Sequence, residues 1–272
     1  MDYKLVCIDM DGTLLDSKFT VPDENVKALK EAIKQGVQIA LVTGRPYNIA
    51  SYFRGIIGDA VHIIGTNGTY FKFGDYEYKK SLSDEEIELV YKVADQYNLT
   101  AHFKGHNVLI SNKKLEDSQP EKLLNETLPA ENQMLLYDDC SLEDVQKYHQ
   151  NNISKCILFS DDLDAVAKGK EAIKQYDKME VVSSHENNFE TMPVGTSKGL
   201  AVKSLCEMLK VRPEELICIG DNENDLSMIK FAGLGIAMGN APQYIKEQAD
   251  YVTDTNLNCG VAKAIRKFIL DK

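Results

Sequence analysis

The chain has 272 residues, of which 43% are hydrophobic and 27% are charged, and this balance is typical of globular proteins rather than disordered, collagen-like or coiled-coil chains. Its length predicts about two domains, each large enough for its own core. The formal net charge of -11 argues against a protein that binds nucleic acid or an anionic membrane, because either partner requires a basic face.

The six cysteines are scattered, form no C-x-x-C pair and lie partly in apolar runs. We interpret them as reduced, buried thiols and expect a cytoplasmic location. The N-terminal residues lead directly into an apolar strand pattern, and no apolar run reaches the length of a membrane span, so neither export nor membrane insertion is expected. The pattern carries no indication of the oligomeric state.

The first predicted strand, 5–8, ends in two carboxylates one residue apart, Asp9 and Asp11, followed by Gly12. In an open α/β sheet, residues just past the carboxyl end of a central strand lie in the ligand crevice. Carboxylates this close repel each other unless they share a cation or one keeps a proton. Mg²⁺ is suitable, since it prefers oxygen ligands and takes one or two carboxylates plus substrate phosphate. An ordinary turn or a calcium loop is the alternative for D-x-D-G.

A pattern of strand, polar loop and helix follows, which predicts right-handed crossovers and a parallel sheet. Strands are predicted over 37–42 and 61–64, and helices from Pro22 to Gly36 and from Pro46, with Tyr52 and Phe53 on the buried side of the second helix. A β-hairpin around Gly74-Asp75 comes next and is expected to lead out of the parallel sheet.

Residues 83–192 mix the period of helices with that of strands, which predicts an α+β domain inserted into the first. Its histidines His149 and His185 are interpreted as surface residues. From Thr196 the parallel pattern resumes, with a helix after Ser197 and a strand over 216–219. The fold class is therefore α/β: a Rossmann-like core domain, 1–82 with 193–272, and an inserted domain, 83–192.

Polar residues follow each predicted core strand, namely Asp9 and Asp11, Thr43, Asn67, and Asp221 with Asp225. Parallel strands bring these ends to one edge of the sheet, so the residues are expected to share one crevice.

Four segments, DMDGT at 9–13, LVTGR at 41–45, GTSKG at 195–199 and GDNENDLSM at 220–228, resemble in order the four motifs of the haloacid dehalogenase superfamily. The insertion after the third strand, with GTNGT and FETMPVGTSKG, resembles the Cof-type sugar-phosphatase branch, which has a large α/β cap of the C2B type. The resemblance covers essentially the whole chain.

The resemblance implies that Asp9 is the nucleophile and forms an aspartyl-phosphate. Asp11 would protonate the leaving group and later deprotonate water, which requires that it start protonated. Mg²⁺ would be held by the carboxylates of Asp9 and Asp221 and by the backbone carbonyl of Asp11, while Asp225 would orient these ligands.

The resemblance also implies a set of phosphate-binding groups. An alternative for Lys198 is a solvated lysine in the first turn of a helix, where the helix dipole disfavours it. Arg45 and Asn67 face the same crevice and are candidates for leaving-group contacts or for simple loop roles. The implied set is the backbone of Met10, Thr43, the Gly44 N–H, Arg45, Lys198 and the Asn224 amide.

The sequence therefore predicts a Mg²⁺-dependent phosphatase that acts on small phosphorylated metabolites, most simply sugar phosphates. A phosphomutase is an alternative, but it must bind a second phosphate, a task that favours arginine, and residues 83–192 contain no arginine. A non-catalytic protein that binds phosphometabolites is another alternative, and loss of Asp9, Asp11, Lys198 or Asp221 would favour it. None of these four residues is lost. The physiological substrate does not follow from these patterns.

Overall fold

The computed structural model describes residues 2–149 and 151–271, and these residues form two β-sheets. The first part of the chain alternates strands with helices, as the apolar runs and their polar loops predict. Its elements are β1 Leu5–Ile8, α1 Asp23–Lys34, β2 Gln38–Val42, α2 Tyr47–Ile57, β3 His62–Gly65, β4 Tyr70–Phe73 and β5 Tyr76–Lys79.

The middle of the chain forms the second sheet and its helices. These elements are α3 Asp84–Gln96, β6 Thr100–Lys104, β7 Val108–Ser111, α4 Pro120–Thr127, β8 Leu135–Tyr137, α5 Leu142–His149, β9 Lys155–Phe159, α6 Leu163–Lys174, β10 Met179–Val182 and β11 Asn188–Pro193. The chain then returns to the first sheet through α7 Lys198–Leu209, β12 Leu216–Gly220, α8 Leu226–Phe231, β13 Leu234–Ala237, α9 Gln243–Lys246, β14 Tyr251–Val252 and α10 Gly260–Ile265.

The eight-stranded sheet, here called the core sheet, has the order β14-β13-β12-β1-β2-β3-β4-β5. Its strands are parallel except for the hairpin β4–β5, which joins the edge at β3 in antiparallel fashion. The hairpin therefore extends the sheet, whereas the sequence pattern suggested that it leaves it. β1 lies between β2 and β12, and all four of its residues are buried because helices cover both faces of the sheet.

The six-stranded sheet, here called the inserted sheet, has the order β10-β11-β9-β6-β7-β8 and is antiparallel except for the β7–β8 pair. One face packs on a separate apolar cluster that includes Phe103, Leu158 and Phe189. We propose that the domains divide as the sequence suggested, at 82/83 and 192/193. The two connecting segments lie beside each other, and Lys80 Nζ donates a hydrogen bond to the Val194 carbonyl.

Some local predictions differ from the structure. Helix α4 and the two-residue strand β14 were not predicted. Tyr52 is 37% exposed, because the buried stripe of α2 runs through Ile49, Phe53 and Ile57. His149 is buried rather than on the surface, and its Nδ1 accepts the Ile153 N–H at 3.2 Å. None of the helices in the described parts of the chain is long and apolar enough to cross a membrane.

Candidate active site

The residue that ends β1, Asp9, lies at the carboxyl edge of the core sheet and is almost fully buried. Its N–H donates to the Ile219 carbonyl at 3.0 Å, which ties it to β12. The chain then makes a tight turn over Met10–Leu14, in which Gly12 has φ +80°. A Cβ at Gly12 would collide with the Asp221 carboxylate. Glycine is needed there both for the left-handed backbone and for this close approach.

The Lys198 ammonium lies between two carboxylates in the buried centre of the site. Lys198 Nζ donates to Asp9 Oδ1 and to Asp225 Oδ1, each at 2.5 Å, and the lysine side chain is 1% exposed. Asp225 Oδ2 accepts the N–H groups of Asp221 and Asn222 at 2.9 and 3.0 Å. Asp225 thus fixes both the lysine and the start of the loop that carries Asp221.

Asp9, Asp221 and Asp225 each present a carboxylate oxygen, and these oxygens lie within 4.8 Å of one another. Both Asp225 oxygens already accept hydrogen bonds. Asp221 Oδ1 accepts the Thr13 hydroxyl at 2.7 Å, and Asp221 Oδ2 points towards Gly12. Clustered carboxylate oxygens are the donor set that a hard divalent cation requires. The residues present therefore fit Mg²⁺ held by Asp9 and Asp221, with Asp225 orienting the loop.

The cluster carries more negative than positive charge. Burial raises the pKa of Asp9 well above its usual value, and the charges of Asp225 and Asp221 raise it further against the opposing effect of Lys198. Burial, with the Asp225 charge, raises the pKa of Asp221 to about 7. Burial opposes the charged form of Lys198, but Asp225 and Asp9 outweigh it and raise the lysine pKa. One ammonium does not balance three buried carboxylates, and a divalent cation would offset the surplus.

Asp11 forms a bidentate ion pair with Arg45. Arg45 Nε lies 2.7 Å from Asp11 Oδ2 and Arg45 Nη2 lies 2.5 Å from Oδ1. The guanidinium carbon lies 5.4 Å from the Phe19 ring centroid and 5.5 Å from that of Phe53, within the range of cation–π contacts. Desolvation acts to raise the pKa of Asp11, but the charge and hydrogen bonds of Arg45 lower it below its usual value. The family resemblance implies that Asp11 starts protonated, whereas its ion pair with Arg45 favours the ionised form in this arrangement.

The loops after β2 and β3 lie against each other beside Asp9. The Thr43 hydroxyl accepts the Arg45 N–H at 3.0 Å, and no acceptor for its own proton is found among residues 2–149 and 151–271. Asn67 N–H donates to the Thr43 carbonyl at 2.9 Å, and Asn67 Oδ1 accepts the Asn224 amide at 3.3 Å. The predicted site residues thus come together at the ends of β1, β2 and β12 and the start of α7, namely Asp9, Met10, Asp11, Thr43, Gly44, Arg45, Lys198, Asp221, Asn224 and Asp225.

Lys155 and Glu190 are charged residues of the inserted sheet that reach this edge, and neither was predicted. Lys155 of β9 donates to the Gly44 carbonyl and to Glu190 Oε2, both at 2.9 Å. Burial lowers the pKa of Lys155, and it opposes ionisation of Glu190 too. Hydrogen bonds and the Lys155 charge nevertheless lower the pKa of Glu190. We take both groups as charged, because each bonds to the other. The available signal was a charged residue inside an apolar strand run.

A cavity of about 670 Å³ opens next to Gly12 and Asp221, between the inserted sheet and the core. Its volume is in the range of small-molecule sites. Helix α6 supplies an apolar wall with Leu163 and Val166, and the core supplies Tyr244. The remaining lining is Ala167, Lys170, Ser183, His185, Glu186, Asn188, Asn222, Asn240 and Pro242.

The chain is similar over nearly its whole length to known proteins. A family model for haloacid dehalogenase-like hydrolases matches residues 6–265. The Bacillus subtilis (strain 168) protein 5-amino-6-(5-phospho-D-ribitylamino)uracil phosphatase YcsE is 32% identical over 99% of this chain and 97% of its own. A solved haloacid dehalogenase-like hydrolase from B. subtilis superposes with a TM-score of 0.84 and 26% identity, covering 98% of this chain and 100% of that one.

A further solved structure, the haloacid dehalogenase subclass IIB sugar phosphatase BT4131, has a TM-score of 0.79 and 22% identity and covers 98% of this chain and 99% of that one. This likeness concerns the fold alone, and together with the parallel core sheet it confirms the predicted α/β fold class. Together with the match of the family model over residues 6–265, these similarities confirm the predicted family: the chain belongs to the haloacid dehalogenase-like hydrolases and is a phosphatase.

Proposed function

We propose that this phosphatase is Mg²⁺-dependent and hydrolyses small phosphorylated metabolites, sugar phosphates among them, through an aspartyl-phosphate on Asp9. The observation that carries the proposal is the buried cluster in which Asp9 shares Lys198 with Asp225, next to Asp221. A carboxylate in this setting is a suitable nucleophile because the ammonium and a cation reduce its repulsion from a phosphate dianion.

The reaction has two steps. In the first, an Asp9 oxygen forms a bond to phosphorus while the bond from phosphorus to the leaving-group oxygen breaks, and Asp11 gives that oxygen a proton. In the second, water attacks the phosphorus of the aspartyl-phosphate and gives a proton to Asp11. Orthophosphate leaves and the Asp9 carboxylate is restored.

The remaining site residues would bind the transferring phosphoryl group. Thr43 has a hydroxyl proton to donate, and the backbone N–H groups of Met10 and Gly44, the Asn224 amide and Lys198 supply further donors. The ion pair between Asp11 and Arg45 must open and Asp11 must take up a proton from water before it can act as the acid, since the guanidinium stabilises the carboxylate form. We propose that Arg45 then contacts the substrate.

Asp9, Asp221 and the backbone carbonyl of Asp11 would hold the metal ion, and Asp225 would orient Asp221 through its backbone contacts. The bound ion would supply positive charge to the oxygens of the phosphoryl group. The raised pKa values of Asp9 and Asp221 support this fit, because a cation would offset the repulsion between carboxylates that contributes to them.

The cavity beside Gly12 and Asp221 is our candidate for the space that takes the leaving group. Its volume of about 670 Å³ accommodates groups larger than a hexose, and its lining mixes apolar and amide side chains. We therefore propose a substrate panel that includes hexose and pentose phosphates and the substrate named for the B. subtilis relative. We also propose a cytoplasmic location, supported by six free cysteines, five of them buried.

The test uses p-nitrophenyl phosphate and the panel with the full chain. Phosphate release is expected with Mg²⁺ and not with excess EDTA, and Asp9→Asn is expected to be folded but inactive. Asp59→Asn removes an exposed turn carboxylate and should retain activity. Acid-quenched turnover should add one phosphoryl group to the peptide that contains Asp9. Activity that survives Asp9→Asn would remove the covalent mechanism, and isomerised product without phosphate release would favour the phosphomutase.

A further inference from the structure

Lys155 and Glu190 form a buried ion pair in the inserted sheet, on the face that meets the core. They lie on the neighbouring strands β9 and β11, with side chains 3% and 4% exposed and 2.9 Å between Nζ and Oε2. A pair this deeply buried contributes little net stability, because desolvation offsets the attraction. The position of this ion pair is better explained by the groups outside the pair to which Lys155 and Glu190 also form hydrogen bonds.

Those other bonds reach across to the core sheet. Lys155 Nζ donates to the Gly44 carbonyl at 2.9 Å, and Glu190 Oε2 accepts the Asn67 amide. The approach is close enough that a Cβ at Gly44 would lie 3.1 Å from Lys155 Nζ and 3.1 Å from Asn67 Oδ1. The absence of a side chain at Gly44 therefore leaves space for the Lys155 ammonium beside the loop that follows β2.

The network continues to the loop that follows β12. Asn67 Oδ1 accepts the Asn224 amide at 3.3 Å. Glu190 Oε1 accepts the Ser184 hydroxyl at 2.9 Å, and the Ser184 carbonyl accepts the Asn222 amide at 2.6 Å. One ion pair of the inserted sheet thus connects the loops after β2, β3 and β12, which are the loops that surround Asp9.

The loop after β3 has a backbone that needs such support. Thr66 and Asn67 have φ values of +46° and +57°, and the left-handed region is unfavourable for a β-branched residue such as threonine. Backbone bonds from Thr66 N–H to the Arg45 carbonyl and from Asn67 N–H to the Thr43 carbonyl, both at 2.9 Å, hold it on the core side. Glu190 holds the Asn67 side chain from the other side.

We propose that Lys155 and Glu190 are positioning residues for phosphoryl transfer. When the inserted sheet lies against the core, their hydrogen bonds set the Gly44 carbonyl and the Asn67 amide so that the donors of both loops point at the transferring phosphate. The inference rests on the proposed function. It adds that phosphate binding and the position of the inserted sheet are coupled through this pair.

The decisive variant replaces the pair by apolar side chains, Lys155→Met with Glu190→Leu. Such replacement of a buried ion pair is often neutral for stability, whereas the bonds to Gly44 and Asn67 are lost. The measurements are the melting temperature, kcat and KM for p-nitrophenyl phosphate, and the inhibition constant of orthophosphate. Asn67→Gly removes the same amide link while still allowing the left-handed backbone. Lys92→Met with Glu88→Leu, an exposed pair on α3, is the matched control.

We expect the double variant to melt near the wild type but to lose at least about tenfold in kcat/KM. Its inhibition constant for orthophosphate should rise. We expect the same changes for Asn67→Gly. The control pair should change neither constant. A stable double variant with wild-type kcat/KM would overturn the proposal, as would an Asn67→Gly variant with unchanged constants if the double variant does not fold. Failure of the wild type itself to hydrolyse phosphate esters with Mg²⁺ would instead overturn the proposed function.

Discussion

Asp221→Asn should stabilise the metal-free protein at alkaline pH. Asp221 has a pKa of about 7 in the fold against a usual value of 3.8, and a difference of three units corresponds to about 4 kcal/mol. The stability that depends on a protonated Asp221 carboxyl is fully present below the pKa of this group in the unfolded chain. It is lost as the pH rises through the pKa of the same group in the fold. Asparagine mimics the neutral carboxyl and keeps an oxygen for the Thr13 hydroxyl, so it escapes this loss.

The assay is thermal unfolding in EDTA at pH 5 and at pH 8, with and without Mg²⁺. If Asp9 shares part of the effect, the variant should still gain about 2 kcal/mol at pH 8, a rise of roughly 4–8 °C, and much less at pH 5. Mg²⁺ should raise the melting temperature of the wild type at pH 8 and barely that of the variant. Asp59→Asn controls for the loss of one negative charge. A variant that melts below the wild type in EDTA at pH 8 would refute the reasoning.

Two further predictions concern stability. Lys198→Met leaves Asp9 and Asp225 buried without their shared ammonium and should lower the free energy of unfolding in urea at pH 8 by about 3–5 kcal/mol. A decrease below about 1 kcal/mol would show that the lysine is not needed to hold these carboxylates. Ser83→Ala removes the hydroxyl that accepts the Glu86 N–H at 3.2 Å at the start of α3 and should cost about 1 kcal/mol without changing kcat/KM. A change in kcat/KM there would mean that α3 influences the site.

The placement of the site could be predicted from the sequence because its residues follow apolar strands whose carboxyl ends meet at one edge of the predicted parallel sheet. Asp9, Thr43 and Asp221 come together for this reason, whereas Lys198 at the start of a helix followed only from the resemblance to the haloacid dehalogenase motifs. The pairing of Asp11 with Arg45 could not be predicted, since each residue belongs to a different loop and strand order does not specify which side chains meet.

The contribution of the inserted sheet was harder to predict. Lys155 and Glu190 are charged residues inside apolar runs, which is a signal of burial with a partner, but the partner depends on how the two sheets meet.

The short elements β14 and α4 were not predicted for a different reason. β14 has two residues and α4 has eight, and such lengths give too few repeats for a period to emerge. Tyr52 was predicted to be buried, but the row of buried residues on α2 passes beside it towards Ile57.

The two connections between the sheets determine how the crevice can open. In the first, Lys80 N–H bonds to Thr69 of the core at 2.9 Å, whereas the next residue, Ser81, bonds to Asn151 of the insertion at 2.7 Å. In the second, Gly195, with φ +71°, bonds to Glu180 of the insertion at 2.9 Å just before α7 begins. Because the two connections lie side by side, we expect any movement of the insertion relative to the core sheet to be a rotation about this pair of segments. We expect such a rotation to widen the crevice first on the side opposite these segments.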